Sequence, residues 1–272
     1  MILTIRDVVN GIRDLGIGHE TPVYIHASLS EIGEVRGGPE AIIGGLLMCF
    51  ETILMPGFTY KTTLIPGDGP VNNGIEYGTG KTLNRLASFF EPDLPADRTL
   101  GVISESFRKH PNAERSTHPI LSFSGINASS YLRSQNFDDP LAPLRLLSDK
   151  YGWVILMGVE QKSNTGIHFA EKLAGRKQFT RWALTPLGVK ECRNFPGCSD
   201  GFNDVDPFLR SVSRELYIGQ ARVKAVPVRD MVRILVNCLE KDPLAFLCRR
   251  TECLPCLAVR QHVHEQRYKS RE

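Results

Sequence analysis

Apolar residues at helical spacing alternate with short apolar runs along the first part of the chain. The spacing within residues 4–15 predicts a helix, which Thr4 would cap. Apolar runs at 22–26 and 52–56 predict two strands, and Pro39 suits the first turn of a helix between them. A strand, helix and strand in this order are typical of a βαβ unit with parallel strands.

The same alternation continues to about residue 241. Residues 152–159 are apolar with little interruption, as in a strand buried on both faces, and 164–173 predict a helix directly after it. Further helices are predicted at 82–90, 100–109, 127–133 and 228–241, and further strands at 120–123 and 221–226. The pattern predicts one α/β domain over 1–272, with a central, mostly parallel sheet flanked by helices. We also expect a loop-rich excursion at 57–98, a loop-rich stretch at 185–210 and a polar C-terminal tail from about 242.

The composition excludes several classes of protein to which the chain could otherwise belong. Of the 272 residues, 42% are hydrophobic and 23% charged, which excludes disordered and coiled-coil chains. No apolar stretch approaches the roughly 20 residues of a membrane-spanning helix, and a scattered net charge of +3 does not indicate a nucleic-acid partner. The first seven residues include both acid and base and do not form a signal peptide, so we expect a cytoplasmic protein without membrane partners.

A hydroxyl-rich loop comes directly off the first predicted strand. Residues 26–33 read His-Ala-Ser-Leu-Ser-Glu-Ile-Gly and lead to Gly37, Gly38 and a helix start. Backbone N–H groups, with the hydroxyls of Ser28 and Ser30, suit a phosphate group at such a position. A plain turn with a capping serine is the alternative.

A second polar segment precedes the strand predicted at 120–123. Residues 115–119 read Arg-Ser-Thr-His-Pro, and Ser122 and Ser124 follow. A guanidinium, hydroxyls and an imidazole in sequence suit an anionic ligand, whereas a solvated turn explains the same residues without one. The glycines near Lys81 lack the spacing of a phosphate-binding P-loop, which argues against a nucleoside triphosphatase.

His168 and Glu171 lie three residues apart on the helix that follows the buried strand, and therefore share a face. A carboxylate beside an imidazole fixes its tautomer and raises its basicity, as a general base requires. A helix after a parallel strand begins at the carboxyl edge of the sheet, where α/β proteins bind ligands. An ordinary surface His–Glu pair is the alternative.

The seven cysteines are expected to be free thiols in a reducing compartment. A structural zinc site uses four ligands, usually as two close pairs, and only Cys253 and Cys256 form a tight pair. We therefore expect no metal, although Cys192 and Cys198 could complete such a set. A thiol nucleophile at Cys198 has no local support in the sequence.

Four segments together resemble one family. Residues 26–33 with the following Gly-Gly resemble H-S-S-L-S-x-I-G…G-G, and 55–60 resemble M-P-T-F-T. Residues 101–123 resemble M-G-x-x-x-E-x-x-R followed by R-S-x-H-P-x-x-S-F, and 156–171 resemble L-L-G-V…N-T-S-L-H-x-A-E. In this order, over roughly 4–240, the chain resembles the aminoglycoside 3-N-acetyltransferases, antibiotic acetyltransferases with an α/β fold distinct from the GNAT fold.

The resemblance implies a cytoplasmic acyltransferase, associated with antibiotic resistance, that moves an acetyl group from acetyl-CoA to an amine of an aminoglycoside or similar compound. It implies His168 as the base and Glu171 as its orienting partner. The residues implied for the CoA site are Ser28, Leu29, Ser30, Arg115, Ser116, His118 and Ser122. Departures from the family pattern are Gly57 and Gly166, where the family has Thr and Ser, and a serine absent from 141–147.

Other hypotheses stay open beside this one. A CoA-binding homologue acting on a non-antibiotic amine, or lacking transferase activity, would keep the same fold. A hydrolase using Cys198 is a third, and acids between Asp200 and Asp206 suit either a cationic sugar or solvent. The sequence does not set the oligomeric state; a homodimer is one option.

Overall fold

The computed structural model describes residues 2–269. In this part of the chain the strands are β1 (Val23–Ala27), β2 (Ile53–Pro56), β3 (Thr63–Leu64), β4 (Glu114–Arg115), β5 (Phe123–Ile126), β6 (Trp153–Met157), β7 (Phe179–Thr185), β8 (Gly188–Phe195), β9 (Arg214–Ile218) and β10 (Ala221–Pro227). The helices are α1 (Ile5–Asp14), α2 (Leu29–Ile32), α3 (Gly38–Leu47), α4 (Lys81–Leu86), α5 (Gly101–Arg108), α6 (Ser129–Ser134), α7 (Ala142–Asp149), α8 (Thr165–Leu173), α9 (Asp206–Leu209), α10 (Val228–Lys241) and α11 (Leu254–Lys269). None of these described helices is long and apolar enough to cross a membrane.

The first helix begins where its capping residues predict. The Thr4 side chain accepts a hydrogen bond from the Asp7 N–H, and the Asp7 carboxylate accepts one from the Thr4 N–H at 2.7 Å. This reciprocal capping box satisfies backbone donors that the first helical turn leaves without partners. α1 then packs on α3, where a Cβ added to Gly45 would lie 2.9 Å from Val8 Cγ1, so glycine permits the close approach.

In the described residues seven strands form the main sheet in the order β4-β5-β2-β1-β6-β10-β9. β1 pairs in parallel with β2 on one side and with β6 on the other, and the remaining pairs of this sheet are antiparallel. The α/β class and the parallel βαβ unit are thereby confirmed. The sheet is mixed, with its parallel strands at the centre and antiparallel strands on both sides.

Two apolar cores cover the two faces of this sheet. Tyr24 and Val154 point into one core, whereas Ile25 and Ile155 point into the other. Successive side chains of a strand face opposite ways, so a strand covered on both sides must be apolar throughout. This explains the unbroken apolar run of β6.

The structure differs from the prediction in the last third of the chain. The stretch 185–210 was expected to be rich in loops, yet it includes β8, which pairs with β7 in a second antiparallel sheet of β3, β7 and β8. Most of β8 is exposed or half-buried and polar, so it lacks the apolar alternation of a strand against the core. The expected polar tail from about 242 contains α11, whose Ala258 and Val259 pack against Phe179.

Smaller differences concern the middle of the chain. The strand predicted at 120–123 lies at Phe123–Ile126, because the preceding residues form a buried turn before the strand pairs with β2. The short helix α7 was not predicted. The expected excursion at 57–98 contains the short elements β3 and α4 and is otherwise irregular.

Candidate active site

A cleft of about 390 Å³ opens at the carboxyl edge of the three parallel strands. Ala27 ends β1, Pro56 ends β2 and Val159 lies just beyond β6, and all three line this cleft. The carboxyl ends of parallel strands are the usual place for ligand binding in open α/β sheets. The sheet topology therefore places the candidate site here.

His168 reaches this cleft from α8. Asn164 caps the helix, its side chain accepting from the Gly166 N–H at 3.0 Å, and the His168 ring packs edge-on against Phe202 with centroids 4.6 Å apart. A Cβ added to Gly166 would lie 2.7 Å from Met231 Cε of α10. Glycine in place of the family's serine thus fits the close packing of α8 on α10.

A buried chain of polar groups supports the imidazole. His168 Nδ1 lies 2.7 Å from Glu171 Oε2, and Arg176 donates to Glu171 Oε1 at 2.5 Å. The other terminal nitrogen of Arg176 donates to the carbonyls of Pro243 and Ala245 at 2.8 and 2.6 Å. We call His168, Glu171 and Arg176 the polar relay.

Glu171 carries its charge within this relay. Burial alone would raise the pKa of its carboxyl, but the hydrogen bond with His168 and the charges of His168 and Arg176 lower it below its usual value. An ionised Glu171 holds the proton on His168 Nδ1 and leaves Nε2 as the nitrogen that can accept another. Arg176 was not predicted to be a site residue, because nothing in the local sequence indicates its contact with Glu171.

The serine loop lies beside the cleft, directly after Ala27. The Ser28 N–H donates to the Met157 carbonyl at 2.9 Å, and the Ser28 and Ser30 hydroxyl oxygens lie 3.0 Å apart. Ser30 is exposed, whereas Ser28 and Leu29 are half-buried. Leu29 packs against the core of one sheet face, so it anchors the loop while both hydroxyls stay accessible.

Arg115 and Ser122 occupy an internal network rather than the lining of the cleft. Arg115 Nε donates to Ser122 Oγ at 2.9 Å, and its terminal nitrogens donate to the carbonyls of Leu94 and Gly57. Ser122 is fully buried and donates to the same Gly57 carbonyl at 2.6 Å. A Cβ on Gly57 would meet Ser124 Oγ at 2.8 Å, so this departure from the family pattern also follows from close packing.

Ser116 and His118 are likewise committed within the chain. Ser116 Oγ accepts from the Phe123 N–H at 2.8 Å and donates to Gln135 Oε1 at 2.5 Å. His118 Nδ1 accepts from the N–H groups of Ile120 and Leu121, and both side chains are buried. In the structure Arg115, Ser116 and Ser122 make hydrogen bonds within the chain, whereas His118 Nε2 has no hydrogen-bond partner among the described residues. The direct CoA contact that the resemblance implies for these four residues stays a prediction.

His26 lines the cleft although the sequence analysis did not assign it to the site. Its ring packs edge-on against Tyr24 at 4.6 Å between centroids, and its Nε2 has no hydrogen-bond partner among the described residues. Burial lowers the pKa of His26 to about 3, so the imidazole is neutral. The available clue was its place at the head of residues 26–33, the first segment that resembles the family pattern.

The acids of the loop at 200–206 are paired with cations. Asp206 lies 2.5 Å from Lys224, Asp204 lies 3.6 Å from Arg249, and Asp200 contacts Arg250. None of these three acids lines the cleft. The structure thus offers no free acidic group in this loop for the cationic sugar that the sequence left open.

Cys198 is poorly suited to be a nucleophile. Hydrogen bonding with Cys256, together with burial, raises the pKa of the Cys198 thiol above its usual value. The reactive form of cysteine is the thiolate, which a raised pKa makes scarce near neutral pH. The hydrolase hypothesis therefore gains no support from the geometry.

Two of the buried histidines, His26 and His118, predict acid sensitivity. Burial lowers the pKa of His118 from 6.5 to about 4, and that of His26 to about 3, so the folded chain leaves both unprotonated where the unfolded chain binds protons. The free energy of unfolding should therefore decrease as the pH falls from 6.5 to about 5, by up to about 1.4 kcal/mol per pH unit for each histidine. Urea unfolding at a series of pH values measures this slope.

His118→Asn supplies the comparison, because the amide oxygen can still accept the backbone N–H groups without binding a proton. Its slope over the same pH interval should be smaller by about one proton. Carboxylates such as Glu105, with a pKa lowered to about 2, contribute at lower pH. An unchanged slope in His118→Asn would contradict the assignment.

Most of the chain matches one known family. The sequence profile of the family described as aminoglycoside 3-N-acetyltransferase matches residues 24–240. The chain is 32% identical to aminoglycoside N(3)-acetyltransferase VII of Streptomyces paromomycinus over 59% of this chain and 57% of that protein. It is 25% identical to aminoglycoside N(3)-acetyltransferase IV of a Salmonella species over 89% of each.

Solved structures share the fold. The apoenzyme of aminoglycoside acetyltransferase AAC(3)-IVa has a TM-score of 0.77 at 24% identity, covering 96% of this chain and 98% of that one. AAC-IIIb, solved as a binary complex with CoASH, has a TM-score of 0.71 at 23% identity, covering 89% and 97%. With the profile match over most of the chain, these likenesses lead to one conclusion: the chain belongs to the aminoglycoside 3-N-acetyltransferase family.

Proposed function

We propose that the protein transfers an acetyl group from acetyl-CoA to an amine of an aminoglycoside or similar small molecule, with His168 as the general base. The observation that supports this most is the polar relay at the cleft: a 2.7 Å contact between His168 and a buried, ionised Glu171. Buried carboxylates orient imidazoles for proton transfer in many acyl-transfer sites. The names of the relatives supply the reaction class.

Acetyl-CoA supplies the acetyl group as a thioester, whose C–S bond breaks as a C–N amide bond forms. His168 Nε2 accepts the proton that the attacking amine loses, and the imidazolium then returns it to the departing CoA sulfur. Glu171 keeps the ring orientation and stabilises the imidazolium, and Arg176 holds the carboxylate in place. The reacting amine attacks in its neutral form, so the one proton that it loses is the proton that the CoA thiol gains.

The serine loop is the proposed contact with CoA. Ser28 and Ser30 present neighbouring hydroxyls beside Ala27, the last residue of β1 at the edge of the cleft. Hydroxyls and backbone N–H groups in a loop are suitable donors for phosphate oxygens. The relative AAC-IIIb, which shares this fold, was solved with CoASH.

The acceptor would enter the cleft and extend into a neighbouring pocket. None of the described residues that line the cleft is acidic, and Lys162 is among them. The adjoining pocket shares Val159 and adds Glu31 and Glu160, together with Asp206, which is paired with Lys224 of the same pocket. An acceptor with several ammonium groups would place its reacting amine near His168 and its other cations near Glu31 and Glu160.

The same distribution of charge favours one alternative, an amine with fewer cations that occupies the cleft alone. A panel of aminoglycosides and simple monoamines distinguishes the two acceptors. Release of the CoA thiol from acetyl-CoA is measured against a blank without acceptor. We expect turnover with a 2-deoxystreptamine-type aminoglycoside; turnover with monoamines alone would support the alternative.

Binding of acetyl-CoA is tested separately from turnover. A ligand that binds only the folded state stabilises it by about 2.7 kcal/mol at a hundredfold excess over Kd, so acetyl-CoA should raise the Tm. A raised Tm without turnover on any amine would indicate a CoA-binding homologue that lacks transferase activity. An unchanged Tm at saturating acetyl-CoA would contradict the proposed function.

A further inference from the structure

Four cysteines meet at one point beyond the end of β8. The Sγ atoms of Cys198, Cys248, Cys253 and Cys256 all lie within 4.8 Å of one another. Cys198 lies in the loop after β8, Cys248 and Cys253 lie between α10 and α11, and Cys256 is in the first turn of α11. Three of the side chains are buried and Cys198 is half-buried. We call these four residues the cysteine cluster.

We propose that the cysteine cluster binds one structural zinc ion through four thiolates. A tetrahedral zinc with Zn–S bonds of about 2.3 Å separates its sulfurs by about 3.8 Å, which the observed arrangement allows with small adjustments. Four protein ligands leave no open position for water or substrate, as in structural rather than catalytic zinc sites. All four sulfurs lie within 4.8 Å of one another and all four cysteines are free, which favours a shared ion over two separate disulfides.

The spacing along the chain agrees with this set of ligands. Cys248 and Cys253 are separated by four residues, and Cys253 and Cys256 by two, both within the usual range for zinc ligands. The sequence offers Cys192 with Cys198 as the other two ligands and predicts no metal. Cys192 instead lies in the apolar core, and Cys248 takes the fourth position, which only the folded loop reveals.

Groups around the cysteine cluster suit its charge. Four thiolates and one zinc ion carry a net negative charge, which hydrogen bonds and nearby cations stabilise. The Asp200 N–H points at Cys198 Sγ at 3.4 Å, and Arg250 lies beside the cluster, where it pairs with Asp200. Arg260 donates to the Cys248 carbonyl at 2.7 Å and fixes that loop against α11.

The proposed ion would hold one wall of the cleft. Gly197 and Ser199, the neighbours of Cys198, both line it. Two residues further, a Cβ added to Gly201 would lie 2.4 Å from the Phe246 carbonyl oxygen, so the two loops already touch closely. Zinc would fasten this wall to α11, adding to the apolar contact of α11 with Phe179 and to the hydrogen bond from Asn72 to the Ala258 carbonyl.

The first test uses the full chain as purified, without a histidine tag, from cells grown with zinc. Elemental analysis should find about one zinc per chain, and X-ray absorption should give four sulfur neighbours at about 2.3 Å. Less than about a tenth of an equivalent of zinc, sulfur-poor coordination, or disulfides between these cysteines in protein kept reduced would each overturn the proposal.

Substitutions test which cysteines bind. Cys256→Ser should reduce the zinc content from about one equivalent to near zero and lower the Tm. Cys238→Ser, on α10 outside the cysteine cluster, should keep both values. Stoichiometric zinc retained in Cys256→Ser would overturn the assignment.

A metal replacement covers the case in which Cys256→Ser fails to fold. Cobalt(II) added to chelator-treated wild-type protein should produce sulfur-to-metal charge-transfer absorption, and added zinc should abolish it. A spectrum without that absorption would overturn the proposal. These readouts do not depend on acetyltransferase activity, so they stand or fall independently of the proposed function.

Discussion

His168→Ala should abolish acetyl transfer while leaving acetyl-CoA binding nearly unchanged. The imidazole lines the cleft and its Nδ1 is held by the buried Glu171, so the substitution removes the proposed proton acceptor and leaves the serine loop intact. Loss of a general base typically lowers the rate by about 10²–10⁴. Turnover is measured by CoA thiol release, and binding by the acetyl-CoA-dependent shift in Tm.

Two comparison variants make this test specific. Glu171→Gln should reduce the rate less, because an amide oxygen can still accept from Nδ1–H although the charge is lost. His19→Ala, which replaces an exposed histidine outside the cleft, should leave the rate unchanged. Near-normal turnover of His168→Ala on a verified acceptor would place the base elsewhere, even though the family assignment stands.

The central part of the fold could be predicted because its local signals and its tertiary contacts agree. Thr4 and the apolar spacing after it defined α1, and the apolar run of β6 indicated a strand covered on both faces. Helix α10 lies at Val228–Lys241, as its apolar spacing predicted. In each case burial leaves a pattern in the sequence. A helix buried along one stripe has apolar residues at helical spacing, and a strand buried on both faces is an unbroken apolar run.

The elements that were not predicted lack such a pattern of apolar residues. In β8 apolar and polar residues alternate little, because most of its side chains are exposed or half-buried. Its strand structure depends on pairing with β7. α11 buries only a few small side chains, Cys256 and Ala258 among them, so its sequence looks like a polar tail. Both are set by contacts between distant segments, which a local pattern does not contain.

The contacts of the candidate site also fall into those that the local sequence predicts and those that it does not. The pairing of His168 with Glu171 follows from their separation on one helix and was predicted. Two other features depend on how the loops fold: the contact of Glu171 with Arg176, and the proximity of Cys198 to the three later cysteines. The polar character of residues 115–122 was visible in the sequence, but their burial was not.

Arg115→Ala should therefore reduce stability far more than it reduces acetyl-CoA affinity. The guanidinium donates to Ser122 Oγ and to the carbonyls of Gly57 and Leu94, and so joins the start of the excursion to the segment before α5. Hydrogen bonds from a charged group contribute about 1.5–3 kcal/mol, and the substitution removes this donor from the Leu94 carbonyl and from Ser122 Oγ, while the Gly57 carbonyl keeps its bond from Ser122. We expect the free energy of unfolding to fall by about 3 kcal/mol, a decrease in Tm of about 6–12 °C.

Affinity distinguishes this internal role from a phosphate contact. A direct charge-assisted bond to phosphate would make binding about 10- to 150-fold weaker when Arg115 is removed. The internal network predicts a change below about threefold, measured by calorimetry at a temperature where the variant remains folded. Arg133→Ala, an exposed arginine on α6, serves as the matched control and should change neither quantity. A large loss of affinity with unchanged stability in Arg115→Ala would return this residue to the CoA site.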